Sequence, residues 1–427
     1  MSVETLLSIL RGPRVVSYLV EGSTRLVDPS LYPFKTVEVP LQCIDAEGNL
    51  PSFEAYTSGN RSIVQPSVGG GWFKAKAVGI PSGDSKPVHI DGRIYTYHLF
   101  DTYIGTGRLI WGLSTVEEAE NEISNVVEAR ELGLPGPKPI GLGSYENVHV
   151  VDLKDRVELF GMLQSTPRDA LLRRFKESSR PVKAACIFTS QPTDVRVDEI
   201  LYGFLHPCLP QILDARDCKD FLRWLGSSCG LNLRMHHDAD LLHGTIPKHG
   251  GFMTNSHTAN HLVDERGTYT TDYHMAYKSK DKNLKRTELL FLASVMNPLP
   301  RAEEAARKAF EDYKPLPLEL LLEGNHLRMS NYWGSRTFKP ESPQEEFTEA
   351  FLDGIEHGYN KQRVMHMETK LRREIMSRAA AMKKALFQLL GLPTGMQRGV
   401  EYVMPLLRTH RFTDKELKAS YERIKNL

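Results

Sequence analysis

The chain has 427 residues, 41% of them hydrophobic, which is enough to supply cores for two or three domains of ordinary size and argues against a disordered protein. Lysine plus arginine (54) nearly balances aspartate plus glutamate (53), so no overall field recruits nucleic acid, an anionic membrane or a strongly acidic partner. Five cysteines (Cys43, Cys186, Cys208, Cys218, Cys229) never form a CxxC pair, and no apolar run reaches the ~18 to 20 residues of a membrane span, so the expectation is a cytoplasmic protein without a disulfide framework or zinc knuckle.

Up to about residue 110, short runs of Val, Ile, Tyr, Phe and Thr are separated by turn signals such as Ala46-Glu47-Gly48-Asn49, Ser58-Gly59-Asn60 and Pro81-Ser82-Gly83-Asp84, which predicts one twisted antiparallel sheet. From Leu113 the period changes. Ser114 or Thr115 can cap, Glu117 and Glu118 fall in the first turn, and Ala119, Ile123, Val126, Val127 and Ala129 recur at helical spacing, which predicts a helix over 113–132. Pro135, Pro137 and Pro139 end it, and strands are expected near 148–153 and 157–163.

After Pro167 the chain reads as mainly helical, with helices expected at 168–177, 218–236, 285–296, 301–313, 343–357 and 361–390. The whole is an α+β protein: a strand-rich N-terminal lobe over 1–163 and a helical C-terminal lobe over 164–427, ending in helices that carry no legible chemistry. The Arg- and Lys-rich helix over 361–390 reads as an amphipathic helix packed on one side and solvated on the other.

Three patterns carry chemistry. In Gly69-Gly70-Gly71-Trp72-Phe73-Lys74-Ala75-Lys76, a glycine turn lets backbone NH groups approach phosphate oxygens, and the strand leaving it sets Lys74 and Lys76 on one face, where one of them can hold a nucleotide phosphate. A glycine hairpin with surface lysines would give the same pattern. Next, Glu118 and Glu122 lie one turn apart on the predicted helix, and either can hold the strand lysine in place. Third, His243-Gly244-Thr245 is followed by Asn255-Ser256-His257-Thr258-Ala259-Asn260, a tight turn at Asp264 to Gly267, and Thr271-Asp272-Tyr273-His274. A hairpin there brings Asn260 and Asp272 side by side at its open ends, and an amide oxygen with a carboxylate suits Mg²⁺.

This order of His, Gly, a polar loop ending in Asn, an Asp-x-x-Gly hairpin and then Asp resembles the catalytic and metal-binding loops of protein-kinase-like enzymes, aminoglycoside phosphotransferases among them. The stretch from Glu122-Ile123-Ser124 through Glu131-Leu132-Gly133-Leu134-Pro135 resembles the helix and loop of the selenoprotein O pseudokinases, which share that fold and transfer AMP. The resemblance covers roughly residues 55 to 280. It implies a two-lobed protein-kinase-like fold, the catalytic hairpin region 241–274 in the C-lobe and a nucleotide in the cleft between the lobes. It also implies that ATP phosphates lie on Gly69, Gly70, Gly71 and Lys76 or Lys74, that Glu122 pairs with the lysine, and that Mg²⁺ or Mn²⁺ binds Asn260 and Asp272.

The sequence also departs from that pattern. His-x-Asp is replaced by His243-Gly244-Thr245, and the residue five before Asn260 is Asn255, so the usual catalytic aspartate is missing from both candidate places. Ile246 to Met253 is an insertion, and Asp272-Tyr273-His274 stands where Asp-Phe-Gly is usual. The expected catalytic residues are then His257 as proton acceptor, with His243 second, and Asn255 in the place of the missing aspartate, or the reaction needs little base. The expected activity is phosphoryl or adenylyl transfer to an acceptor hydroxyl on a protein or small molecule, with AMP transfer and a catalytically inactive scaffold as alternatives. A metal hydrolase is the remaining alternative, because seven histidines fall in the 39 residues from His236 to His274. Ser58-Gly59-Asn60-Arg61 and Gly105-Thr106-Gly107-Arg108 are further glycine turns that a phosphate could use, though plain hairpins look the same.

Overall fold

The computed structural model describes residues 16–18, 56–57, 61–66, 71–79, 87–99, 109–153, 168–198, 200–201, 214–248, 251–253, 255–294 and 343–389, and they form an α+β protein. Two compact units are present, one made of the described residues of Met1–Val127 and Lys138–Pro192, the other of those of Glu128–Pro137 and Thr193–Gly391. Among the described residues, no helix is long and apolar enough to cross a membrane.

The first unit is built on a sheet. In chain order its strands are β1 (Val16–Tyr18), β2 (Tyr56–Thr57), β3 (Ser62–Pro66), β4 (Trp72–Lys76), β5 (Val88–Ile90), β6 (Arg93–Leu99), β7 (Leu109–Ile110), β8 (Ser114–Thr115), β9 (Lys138–Leu153) and β10 (Arg180–Gln191). The helices α1 (Val116–Glu131) and α2 (Arg168–Ser178) flank β9 in sequence. The order across the sheet is β2-β3-β4-β10-β9-β6-β5, with β1 on β9, β7 on β6 and β8 on β10. β6 runs parallel to β9, from Ile94 opposite Val148 to Leu99 opposite Leu153, whereas β4, β10 and β9 are mutually antiparallel.

Alternation sorts the side chains of these strands onto two faces. Phe73, Ala75, Ala184, Cys186 and Phe188 join one apolar core. Ala185 and Ile187 point the other way, where Ala119 and Ile123 of α1 cover them. The helix starts where the sequence predicts: Thr115 Oγ1 accepts from Glu118 N at 3.0 Å while Glu118 Oε2 accepts from Thr115 N at 3.1 Å, a reciprocal capping box. It ends at Gly133, whose φ of 72° closes the last turn, with Leu134 N donating to Ala129 O at 2.9 Å.

The second unit holds α3 (Ala215–Asp238), α4 (Lys282–Ser294), α5 (Pro343–Lys361) and α6 (Thr369–Leu389), together with the short strands β11 (Leu241–Leu242), β12 (Ile246–Lys248), β13 (Gly251–Met253), β14 (His261–Asp264), β15 (Gly267–Thr270) and β16 (Tyr277–Lys278). α3 and α5 approach closely because each carries glycines four residues apart. A Cβ on Gly226 or Gly230 would strike the carbonyls of Phe351 or Ile355, and one on Gly354 or Gly358 those of Arg223 or Ser227.

Two expectations need correction. The mainly helical reading after Pro167 omits β10, a strand buried on both faces from Ala184 onward. The helix read over 361–390 begins only at Thr369, because Gln362 takes a left-handed φ of 51° after α5. The insertion between Ile246 and Met253 is a small hairpin of β12 and β13. The strand expected at 157–163, the helix at 301–313 and the turns at 46–49, 58–60 and 81–84 lie outside the described residues.

Candidate functional site

Within the first unit, β4 runs between β3 and β10, with Lys74 opposite Val64 and Thr189 and Lys76 opposite Ser62 and Ile187. Phe73 and Ala75 go to the apolar core, so Lys74 and Lys76 share the face of Ile187 on which α1 lies. Glu122, beside Ile123 on the buried stripe of that helix, therefore meets Lys76: Nζ to Oε2 is 2.6 Å, and each side chain is only 6% exposed. Glu118, the other acid the sequence offered, is engaged in the capping box. Lys74 is buried as well.

Burying two opposite charges costs several kcal/mol per ion in desolvation, which good geometry only roughly offsets. A buried strand-to-helix ion pair is therefore poorly explained by stability alone. Gly69 and Gly70 lie outside the described residues. Gly71 has a φ of 75°, and a Cβ there would lie 2.8 Å from Gln191 O, so glycine is required for the chain to pass the end of β10. Arg61 is anchored within this unit: its Nη1 donates to Leu113 O at 2.7 Å, and its own carbonyl accepts from Ala77 N and Val78 N. Residues 58–60 and 105–108 are outside the described set.

Within the second unit, the turn between β14 and β15 is fixed by Asp264, whose carboxylate accepts from Arg266 N at 2.8 Å and from Arg266 Nη2 at 2.6 Å. The ladder pairs His261 with Thr270 and continues one step further, where Thr271 N donates to Asn260 O at 2.9 Å. Asn260 and Asp272 thus leave the open end of the hairpin next to one another. Asp272 itself is left-handed (φ 68°, ψ 62°) and opens the 3₁₀ turn Tyr273–Met275. That conformation is uncommon for a residue with a side chain.

Asn255 links these elements. Its Nδ2 donates to Asp272 O at 2.6 Å and its backbone carbonyl accepts from Asn260 Nδ2 at 2.9 Å. With the Asn260 amide nitrogen engaged there, its Oδ1 is the atom suited to a hard cation. Asp272 Oδ1 lies 2.7 Å from His274 Nδ1, both side chains being about a quarter exposed. His257 precedes the 3₁₀ turn Thr258–Asn260, is partly exposed, and brings Nε2 to 3.2 Å from Asn260 Nδ2.

The three residues expected to carry the chemistry thus separate. His257 is accessible beside Asn260. His243 is buried, its Nε2 donates to Thr271 O at 2.7 Å, and its ring packs against Tyr273 and His261, so it is removed from the candidate bases. Burial also holds its pKa below the ordinary imidazole value. Asn255 is buried and donates to backbone, which makes it a positioning residue rather than an acid or base.

Most of the remaining histidines are structural. His236 Nδ1 donates to Asn232 O at 2.8 Å and Nε2 accepts from Tyr273 Oη at 2.8 Å, and burial lowers its pKa to about 4. His237 bridges Tyr359 Oη at 2.8 Å and Glu288 Oε2 at 3.0 Å. Glu288 also accepts from Thr245 Oγ1 at 3.0 Å. Burial pushes its carboxyl up, but His237, by hydrogen bond and charge, together with His243 leaves it below the ordinary value. His249 is outside the described residues.

Sequence reasoning assigned no role to His274 as the partner of Asp272, although the i, i+2 spacing was visible, because the spacing has meaning only once a 3₁₀ turn follows Asp272. No protein-family model matches the chain, and no curated protein matches it.

Proposed function

We propose that the chain is an ATP-dependent transferase of the two-lobed protein-kinase-like fold, moving a phosphoryl or adenylyl group to an acceptor hydroxyl. The observation that carries this reading is the buried Lys76–Glu122 pair, a strand ammonium held at 2.6 Å by a helix carboxylate. Enzymes that position a nucleotide phosphate use such a pair, and its desolvation cost calls for a functional reason. The arrangement of Asn260 and Asp272 at the end of β14 and β15 supports the reading independently, since an amide oxygen and a carboxylate fit Mg²⁺ or Mn²⁺.

In this reading Lys76 contributes a fixed positive charge to the ATP phosphates and Glu122 keeps it from swinging away. Asn260 and Asp272 hold the divalent ion, which when bound neutralises phosphate charge. As the acceptor oxygen forms its bond to phosphorus, the bond to the leaving phosphate oxygen breaks and the hydroxyl proton passes to His257 or solvent. Phosphoryl transfer depends mainly on positioning and charge neutralisation, so the absent aspartate does not forbid it. The hydrolase alternative has less support, because His236, His237 and His243 are engaged in buried hydrogen bonds.

The test is a thermal-shift measurement with Mg-ATP, followed by label transfer. A ligand at a hundredfold excess over its Kd stabilises by about 2.7 kcal/mol, so the wild type is expected to show a clear shift and Asp272→Ala none. Transfer of label from γ-labelled ATP identifies phosphoryl transfer, from α-labelled ATP adenylyl transfer, and binding without either a scaffold. Equal shifts in wild type and Asp272→Ala would reject the assignment.

A further inference from the structure

We propose that His274 is itself a metal ligand, and that with Asp272 it makes a mixed nitrogen and oxygen site that prefers Mn²⁺ to Mg²⁺. This rests on the reading of Asp272 as a metal-binding residue and adds a ligand and an ion identity to it.

The geometry points this way through three observations. First, Asp272 Oδ1 and His274 Nδ1 are 2.7 Å apart. Adjacent ligands on a six-coordinate ion with bonds slightly above 2 Å lie about 3 Å apart, so the two donors need to separate by only a few tenths of an ångström to share a cation. Second, Nδ1 has a carboxylate oxygen on one side and Asn255 Nδ2 at 3.4 Å on another. Nδ1 is thus the ring nitrogen that faces both groups, and its lone pair is the one an ion shared with the carboxylate would take. Third, Asn255 touches the residues of all three donors: Asp272 through its backbone oxygen, His274 through the ring, and Asn260 through its amide. The donors are thereby tied to one buried residue, through its side-chain amide and its backbone carbonyl.

The left-handed backbone at Asp272 belongs to the same arrangement. With φ 68° and ψ 62° it turns the chain into the 3₁₀ turn, which brings residue 274 back to the carboxylate. An ordinary extended conformation would send consecutive even-numbered side chains along the strand instead. Mg²⁺ takes oxygen ligands almost exclusively, whereas imidazole suits transition ions. Zinc is disfavoured, since its structural sites want thiolates or several imidazoles, and the described cysteines Cys186, Cys218 and Cys229 are buried elsewhere. A carboxylate, an amide oxygen and one imidazole, completed by water or phosphate oxygens, fit six-coordinate Mn²⁺.

The experiment is Mn²⁺ titration of the metal-free full-length protein without nucleotide, read by electron paramagnetic resonance with pulsed detection of nitrogen coupling. Wild type is expected to show the coupling of a directly bound imidazole. His274→Ala and His274→Gln are both expected to lose it and to bind Mn²⁺ about tenfold or more weakly, while Mg²⁺ affinity, read by competition, changes less than threefold. No nitrogen coupling in wild type, or coupling that persists in both variants, overturns the proposal. Because no ATP is present, a positive result stands even if the nucleotide shift is absent, and a nucleotide shift stands if the nitrogen signal is absent. The wild-type spectrum does not depend on either variant folding.

Discussion

Glu122 is buried beside Lys76, and removing only the ammonium leaves a carboxylate with neither water nor its counter-charge. Lys76→Met is therefore expected to lower stability in urea unfolding by about 3–5 kcal/mol. Adding Glu122→Leu should recover most of that loss, since an apolar pair of similar volume is often neutral. Neither variant should regain the Mg-ATP thermal shift. If the double variant binds nucleotide as wild type does, the pair is structural and the transferase reading fails at this residue. The choice of Glu122 over Glu118 was partly legible: Thr115-Val116-Glu117-Glu118 has the spacing of a capping box, which commits Glu118 to the helix end. The exclusion of His243 was not, because nothing in its sequence neighbourhood announces that its ring is enclosed by Tyr273 and His261.

The helix at Val116, the hairpin around Asp264 and the helices α3 and α5 were readable from caps, turn residues and period, all of which act over a few positions. β10 was not. Its Ala184-Ala185-Cys186-Ile187-Phe188 run is covered on both faces, so it shows neither the alternation of a half-buried strand nor a helical stripe. Partner choice was also hidden: period shows that α3 has an apolar face but not that Gly226 and Gly230 meet the backbone of α5 at Phe351 and Ile355. Alanine gains about 1 kcal/mol over glycine in a helix, yet at Gly230 its methyl meets backbone that cannot rotate away. Overpacking of this kind costs about 1–3 kcal/mol, occasionally more. Gly230→Ala should thus destabilise the protein in urea unfolding by about 1 kcal/mol or more, and a stabilised variant would show that the two helices are not in backbone contact.

For the molecule as a whole, the near balance of 54 basic and 53 acidic residues keeps net repulsion small near neutrality, so the pH response falls to individual buried groups. Burial lowers His236 to about 4 and depresses His243 and His261, and neither ring nitrogen of His261 has a hydrogen-bond partner among the described residues. These imidazoles stay neutral in the folded chain below pH 6.5, while those of the unfolded chain take up protons. The unfolded state then binds more protons, so stability is fully present above the unfolded pKa and falls as pH drops toward the folded values. Each such histidine removes up to about 1.4 kcal/mol per pH unit between its unfolded and its folded pKa. Glu288, held below the ordinary carboxylate value, contributes stability that is lost only at lower pH, beneath its unfolded value near 4.5. Urea unfolding at pH 7.5, 6.5, 5.5 and 5.0 should therefore show a plateau and then a steep decline that the carboxylate does not cause. Against a total of about 5–15 kcal/mol for a typical domain, the decline should set in below the unfolded imidazole value, before carboxylates begin to protonate. His236→Gln should flatten the decline by about 1.4 kcal/mol per pH unit, whatever it does to the plateau. An unchanged slope in that variant, or a wild-type profile flat to pH 4.5, would show that these rings are not held neutral by burial.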